Sequence, residues 1–232
     1  MQVIPIPGLE HLPYAEVWFH EVDDARWREA CAAAHALGKT GLEVWTTDRT
    51  PEVASFFEQR GYEEVRHYVI SELDVAAAPD PEPPAVELVT FAERPDLEPQ
   101  LHELAQLAYA DQPGRAGSVI VGWHDWGLHR HAPESYFIAL DGERVLGYGY
   151  LEHNEETGVW SHGFMAVVRE ARGRGVAGAI KRAQIAYAKA QGIPSLRTAN
   201  ETRLESMLAL NRRLGYRTLY EEIVMRGPCS AA

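Results

Sequence analysis

Cysteine is nearly absent: Cys31 and Cys229 are the two thiols in 232 residues, one inside an apolar helical pattern and one close to the last residue. So placed, they supply neither a disulfide framework nor the closely spaced ligands of a zinc site, and they fit a reducing compartment. Basic charge is also scarce, with 22 Lys and Arg against 34 Asp and Glu and a net charge of −12. Nucleic acid and anionic membrane both require clustered cations to neutralise phosphates, so neither is an expected partner. Long apolar runs are missing, since nowhere do ~18 apolar residues follow one another. Met1 to Pro13 lacks a basic stretch leading into an apolar core, and the expectation is a cytoplasmic chain that neither spans a membrane nor leaves the cell by that route. What is present, 46% hydrophobic and 24% charged residues, is the composition of a globular protein with room for one large domain or two small ones.

One stretch breaks the pattern. Ala76 to Ala85 holds four prolines and reads as a semi-rigid linker, because proline interrupts helices and central strands. This divides the chain into residues 1–75, the linker 76–85 and residues 86–228. Beyond the linker, Val86 to Phe91 has strand character, and Leu97, Leu101, Leu104, Ala105 and Ala108 recur at helical spacing. A second helix is expected from about Val119 to His129. Tyr136–Leu140 and Val145–Glu152 flank a glycine-containing turn as a hairpin does, and Val159–Val168 makes a third strand. Val176 to Gln191 is an amphipathic helix stopped by Gly192 and Pro194. Ser195–Ala199, Leu204–Leu214 and Tyr216–Met225 then read as strand, helix and strand. The fold class is α/β (α+β), with a mixed sheet flanked by helices.

Sliding the C-terminal third back by 154 positions lays Gly192 on Gly38, Leu196 on Leu42 and Gly215-Tyr216 on Gly61-Tyr62, with no gap. Ala15 to Asp74 is therefore expected to be a partial second copy of the back half, with helices at Ala30–Leu37 and Val53–Arg60.

The residues with chemistry to offer are Arg172, Gly173, Arg174, Gly175, Val176 and Ala177, which open the amphipathic helix. A helix start leaves four N–H groups unpaired and carries partial positive charge. Two glycines let an anion approach, two arginines add charge, and Ala177 keeps the first turn small. Pyrophosphate is the natural ligand.

Val167, four residues, then Arg172 and Gly-x-Gly-x-Ala, set between a strand and a long helix and followed by a helix ending Leu214-Gly215-Tyr216, resembles the GNAT superfamily of acetyl-CoA-dependent N-acetyltransferases. The resemblance covers residues 86 to 227, and 15 to 74 as a degenerate copy. It implies a mostly antiparallel central sheet, a pantetheine arm paired along Met165, Ala166 and Val167, pyrophosphate on Arg172 to Ala177, and direct attack of a substrate amine on the thioester; the leading expectation for that amine is a primary amine of a small molecule. The family pattern also places an Asn and a Tyr on the last helix, where this chain has Leu204 and Asn211. Asn211 cannot protonate a thiolate but can donate to the sulfur or an oxyanion, and Asn200 can orient pantetheine or substrate. Asn200 and Asn211 together resemble the subgroup that includes tandem mycothiol-synthase-like proteins.

General-base candidates are His162 and Glu152, on neighbouring strands where both could face one cleft, or else a half-exposed strand residue and a solvated strand end. Tyr220 is an alternative acid, while Tyr216 reads as core because the repeat keeps an aromatic there. His124, His129 and His131 crowd near Asp125, but the five-residue step from His124 to His129 does not align ligands on a helix face, so no metal is expected. Trp123, Trp126 and His129 are read as walls of the acceptor site or as core. In the N-terminal copy Trp18, Glu21 and Asp23 stand where Arg172, Gly175 and Ala177 would, and Thr46 and Phe57 replace the asparagines. One acetyl-CoA per chain is expected. So small a copy must pack on the larger domain or on a second subunit, as in a homodimer.

Overall fold

The computed structural model describes residues 1–6, 9–79, 86–111 and 131–230. Its elements are β1 (Val3–Pro5), β2 (Tyr14–Trp18), α1 (Asp24–Ala36), β3 (Gly41–Thr47), α2 (Pro51–Glu58), β4 (Glu63–Asp74), β5 (Glu87–Thr90), α3 (Glu98–Ala110), β6 (Tyr136–Asp141), β7 (Arg144–Asn154), β8 (Val159–Val167), α4 (Val176–Ala190), β9 (Ser195–Glu201), α5 (Glu205–Arg213) and β10 (Arg217–Pro228). This is the mixed α/β architecture expected, a mostly antiparallel sheet flanked by helices. The helix expected at 119–129 lies outside the described residues. α1 starts six residues before the apolar run that announced it, because Asp23 caps it by accepting from Arg26 N–H at 2.8 Å.

Two compact units are defined by their internal packing: Met1–Ile70 with Ala199–Glu205 and Thr218–Ala232, and Ser71–Thr198 with Ser206–Arg217. In the first, strand order is β1-β2-β3-β10-β4. β2 pairs with β3 in parallel, and β10 pairs with β3 antiparallel from Gly41↔Pro228 to Thr47↔Glu222. α1 and α2 cover one face through Ala30, Ala34, Val53 and Phe57 on Leu42, Val44 and Met225. On the other face Glu43 is fully buried and held by Arg66 and by Arg226, whose Nε donates at 2.7 Å.

In the second unit the order runs from the end of β4 through β9, β8, β7 and β6 to β5. α3 packs on Tyr136, Ile138, Tyr148 and Ala166, and α4 covers the opposite face through Val176 and Ile180 on Phe137 and Ala139. Gly147 and Gly149 let α4 sit close: a Cβ on them would lie 3.2 Å from Val176 Cγ1 and 3.3 Å from Ile180 Cγ2. α4 ends where Ile193 N–H reaches back to Ala188 O at 2.9 Å around Gly192, whose φ is 68°.

Under the 154-residue shift the two sets of elements superpose in sequence. β3 at 41–47 matches β9 at 195–201, and β4 at 63–74 matches β10 at 217–228. The matched glycines are also left-handed, with φ 73° and 68° at Gly38 and Gly192 and 77° and 92° at Gly61 and Gly215.

β10 lies between β3 and β4, so both of its neighbours come from the first third of the chain. Deleting residues 1–78 is therefore expected to yield an insoluble or unfolded protein, since the C-terminal strand loses both backbone partners. A soluble truncated chain with the circular dichroism of its native sheet would contradict this.

Candidate functional site

β8 ends at Val167, a 3-10 turn covers Arg169–Ala171, and α4 begins at Val176. Between them Gly173 and Gly175 take φ of 74° and 86°, a region that side chains disfavour. Gly175 is the N-cap residue, so no side chain accepts from the first turn, and that turn carries no acid. Ala179 N–H is the first to bond back into the helix, to Gly175 O at 2.9 Å. The N–H groups of Val176, Ala177 and Gly178 precede this bond. In front of them both loop glycines are exposed, and a methyl group on either would meet nothing within 4 Å. Such a helix start has the shape and polarity of an anion site.

The two loop arginines differ. Arg172 donates through Nε to Val167 O at 3.1 Å and through Nη2 to Asp111 at 2.8 Å, and Arg169 takes the other Asp111 oxygen at 2.8 Å. These bonds hold the Asp111 carboxyl below its usual range, Arg172 first. Arg172 thus braces the loop to β8 and to the end of α3. Arg174 is exposed and forms no ion pair among the described residues, so it is the side chain left to meet a phosphate. A cavity of about 510 Å³ lies beside the brace, between Leu104, Leu107 and Asp111 of the α3 end and Val167 and Arg172.

Met165, Ala166 and Val167 occupy the end of β8, paired with Gly149, Tyr148 and Gly147 of β7. On its other edge β8 meets β9 in parallel at the single register pair Ser161↔Arg197. Among the described residues the strand beyond Ser161 is laddered on one side alone. An extended ligand could add there as a strand does, ending at the loop.

His162 follows that last rung. Its Nδ1 lies 2.8 Å from Gln184 Oε1 on α4, and its Nε2 is bonded to the Tyr216 hydroxyl. Lys181, one turn before Gln184, is buried with its Nζ donating to Thr198 Oγ1 at 3.3 Å and its charge 5.0 Å from the centre of the Tyr216 ring. It has no carboxylate partner among the described residues. Burial, then the Lys181 charge, push the His162 imidazole well below its usual value, against a smaller opposing effect of Gln184. Burial alone lowers Lys181 from 10.5 to about 7 and raises Tyr216.

Glu152 leaves β7 on the opposite face. Successive strand residues alternate, and Leu151, which pairs with His162, packs with Ile185 and Ala188 of α4. Glu152 lies instead 3.9 Å from His131, which stacks on Tyr150 at 5.0 Å, on the face that carries α3. Partial burial raises its carboxyl above the usual range. The two base candidates are therefore not brought together. Asn211 is buried on α5, where its backbone carbonyl accepts from Leu214 and Tyr216 at 3.1 Å and closes the helix. Asn200 lies on β9 and Tyr220 on β10, both in the first unit; Arg49 covers the Tyr220 ring at 4.6 Å, and Glu222 takes its hydroxyl. Trp123, Trp126 and His129 lie outside the described residues. Sequence reasoning missed Lys181, Gln184 and Asp111. Two polar residues three apart on the inward face of an apolar helix, flanked by Ile180, Ile185 and Ala188, were the available signal for the first pair.

Among the described residues no three His, Cys, Asp or Glu side chains converge as metal ligands, and no helix is long and apolar enough to cross a membrane.

The profile of the acetyltransferase (GNAT) family matches residues 98–216, from α3 through the loop to Tyr216. This chain belongs to that family. Among curated proteins it is similar to N-alpha-acetyltransferase 30 of Schizosaccharomyces pombe, 29% identical over 103 residues that make up 42% of this chain and 65% of that protein. Among solved structures it resembles a GCN5-related N-acetyltransferase from Sphaerobacter thermophilus, with TM-score 0.70, 19% identity, and coverage of 98% of this chain and 75% of the other. A tandem GNAT protein from the clavulanic acid biosynthesis pathway gives TM-score 0.72 and 18% identity, covering 95% of this chain and 77% of the other. These two likenesses are of fold.

The lowered Lys181 pKa has a consequence for stability. Between about 7 and 10.5 the unfolded chain binds a proton at this amine that the folded chain does not, so stability rises with pH across that window and the full cost is present below about 7. Lys181→Met is expected to melt higher than the wild type at pH 7, with the gap closing toward pH 10.5 in paired thermal scans.

Proposed function

We propose that this chain is an N-acetyltransferase that uses acetyl-CoA to acetylate a primary amine of a small molecule by direct attack in a ternary complex. The observation that carries the reading is the α4 start, uncapped, free of acid and fronted by Gly173 and Gly175, at the end of a strand with one edge unpaired among the described residues. Acetyl-CoA fits these residues: its pyrophosphate matches the N–H groups of Val176 to Gly178 with Arg174 beside them, and its pantetheine arm matches Met165 to Val167. When bound, it supplies a thioester acetyl donor. Asn200 and Asn211 are proposed to orient the pantetheine and thioester end, with Tyr220 as an alternative acid and Trp123, Trp126 and His129 as walls of the acceptor site.

An amine arrives as an ammonium ion and must lose one proton before it can attack and a second as the amide forms. Glu152, on the face of the sheet away from His162, is proposed to take the first as the ammonium ion approaches, before the amine reaches the thioester, since partial burial raises its affinity for protons. His162 is proposed to take the second. The name of the yeast relative favours a second reading for the acceptor, the α-amine of a peptide chain; a non-catalytic acyl-CoA-binding protein would bind the donor and turn nothing over.

Residues 1–75 are proposed to be a truncated, degenerate copy of the GNAT domain at 86–228, joined by the linker 76–85, with a mycothiol-synthase-like ancestry. Matched element bounds support this, as do two matched ion pairs of reversed sign: Glu43–Arg226 at 2.7 Å and Glu72–Arg197 at 2.9 Å, each residue 154 positions from its counterpart. The protein is proposed to act in the cytoplasm, as a monomer or homodimer, without nucleic-acid or membrane partners.

Gly175→Glu places a carboxylate where the pyrophosphate would lie. Titration calorimetry is expected to show loss of acetyl-CoA binding with an unchanged circular dichroism spectrum, and equal affinity in both proteins refutes the assignment. Thiol release across a panel of small amines and short peptides separates the two acceptor classes, and none at all marks the non-catalytic alternative. For Glu152→Gln, turnover at pH 7 is expected to fall by roughly 10²-fold and to recover as pH approaches the amine's own pKa, where free amine is already present. A loss independent of pH would rule out proton removal by Glu152.

A further inference from the structure

The fork where β8 parts from β9 is tied across by buried polar groups. The last rung is Ser161↔Arg197. The next residue on β8 is His162, bonded to Gln184 and Tyr216, and the next on β9 is Thr198, bonded to Lys181. Gln184 and Lys181 stand one turn apart on α4, so one helix face fixes both branches. An arm pairing along the β8 edge that the described residues leave open, from Val167 inward, would end against this cluster.

The bonding also fixes a proton. With Gln184 Oε1, which can only accept, facing Nδ1, the arrangement calls for hydrogen on Nδ1 and a bare Nε2 toward the Tyr216 hydroxyl, which can then donate to it. Among the described residues the titratable groups facing His162 are Lys181 from α4 and Tyr216, which directly precedes β10, while Leu151 opposite on β7 and Thr198 on β9 are uncharged.

We propose that Tyr216 and His162 form a proton relay for acetyl transfer, with Gln184 and Lys181 as positioning residues that hold His162 as the neutral Nδ1–H tautomer. The inference rests on the acetyltransferase reading above. As the new C–N bond forms, the second N–H proton of the amine passes to Tyr216 Oη while the Tyr216 hydroxyl proton passes to His162 Nε2. When the C–S bond breaks, the same two transfers run in reverse and the proton ends on sulfur, so the relay is restored and nothing is oxidised or reduced. Lys181 acts through its charge: by opposing an imidazolium it makes His162 return the proton.

The test uses full-length protein labelled with 15N at histidine, with His162 assigned by His162→Gln. Without any ligand, the His162 nitrogen shifts are expected to show a protonated Nδ1 and a bare Nε2 at pH 7. Lys181→Met is expected to raise the imidazole titration midpoint by roughly half a unit or more, and the acid limb of kcat by the same amount. Tyr216→Phe is expected to lower kcat by ~10²-fold while acetyl-CoA affinity by calorimetry stays within about threefold. An Nε2-protonated tautomer, or a midpoint indifferent to Lys181→Met, overturns the relay. Gly175→Glu serves as control: it should lose acetyl-CoA and keep the tautomer, so failure of the cofactor reading and failure of the relay give different results.

Discussion

Backbone hydrogen bonding along β8 is the constraint around which the second unit is arranged. A strand within a sheet ordinarily satisfies both edges, and an unmatched edge invites another chain. Here one edge is laddered to β7 from Asn154↔Val159 to Gly147↔Val167, and among the described residues the other has the single rung at Ser161. Three features follow from keeping that edge open. α4 must lie close enough to the sheet to set its start at the strand's end, and Gly147 and Gly149 provide the clearance. The chain must turn from strand into helix within a few residues, which the left-handed Gly173 and Gly175 permit. The branches of the fork must also be kept from closing or splaying, and the α4 side chains Gln184 and Lys181 reach both.

That last feature has a cost. A buried amine hydrogen-bonded to one hydroxyl, with no carboxylate beside it among the described residues, is poorer for the folded state than a methionine in the same space. A sequence selected for stability alone would not retain it beside a buried imidazole. The Lys181 and His162 shifts run in the same direction, toward the neutral form, so each gives up its proton more readily than it does in water. On the other face Glu152 is displaced toward its own neutral form. Sites for proton transfer at neutral pH are arranged in this manner, with groups moved from their solution values by burial and by one named neighbour.

Much of the fold was legible because it depends on local rules. Proline and glycine mark the ends of α4 and α5, apolar spacing marks their faces, and Arg172 to Ala177 announces an anion site through backbone geometry that six residues specify. What was not legible depends on register. A β-bulge between Gly149 and Leu151 resets which residues of β7 share a face with which of β8, and so decides that His162 points to α4 while Glu152 points away. Sequence spacing put them in one cleft. Tyr216 shows the other limit: its ring is core, as the matched Tyr62 implied, yet its hydroxyl meets His162 across 54 residues of chain. Arg172 was read as charge for a phosphate, and its carboxylate partner 61 residues earlier could not be seen by spacing.

On the tandem reading, the first third of the chain records which constraints outlast catalysis. Its helix α1 is capped by Asp23 and begins with Asp24, so its start repels phosphate where α4 attracts it. At the position matching Arg172, Trp18 instead stacks on Trp45 at 5.0 Å, and Trp45 on Tyr68 at 5.6 Å. Stacked rings occupy the place where the proposed counterpart has its loop. The sheet contacts persist: Glu43 with Arg226 mirrors Arg197 with Glu72 at matched positions, and His67 meets its own counterpart Glu221 at 2.7 Å. Reversing both charges of a pair preserves the attraction, whereas changing one glycine of the loop removes the site. Pairing of β10 between β3 and β4 makes the copy part of the fold of the C-terminal strand, and that strand follows directly on Tyr216. If residues 1–75 are such a copy, the strand they hold in place is a reason for keeping them that needs no second active site.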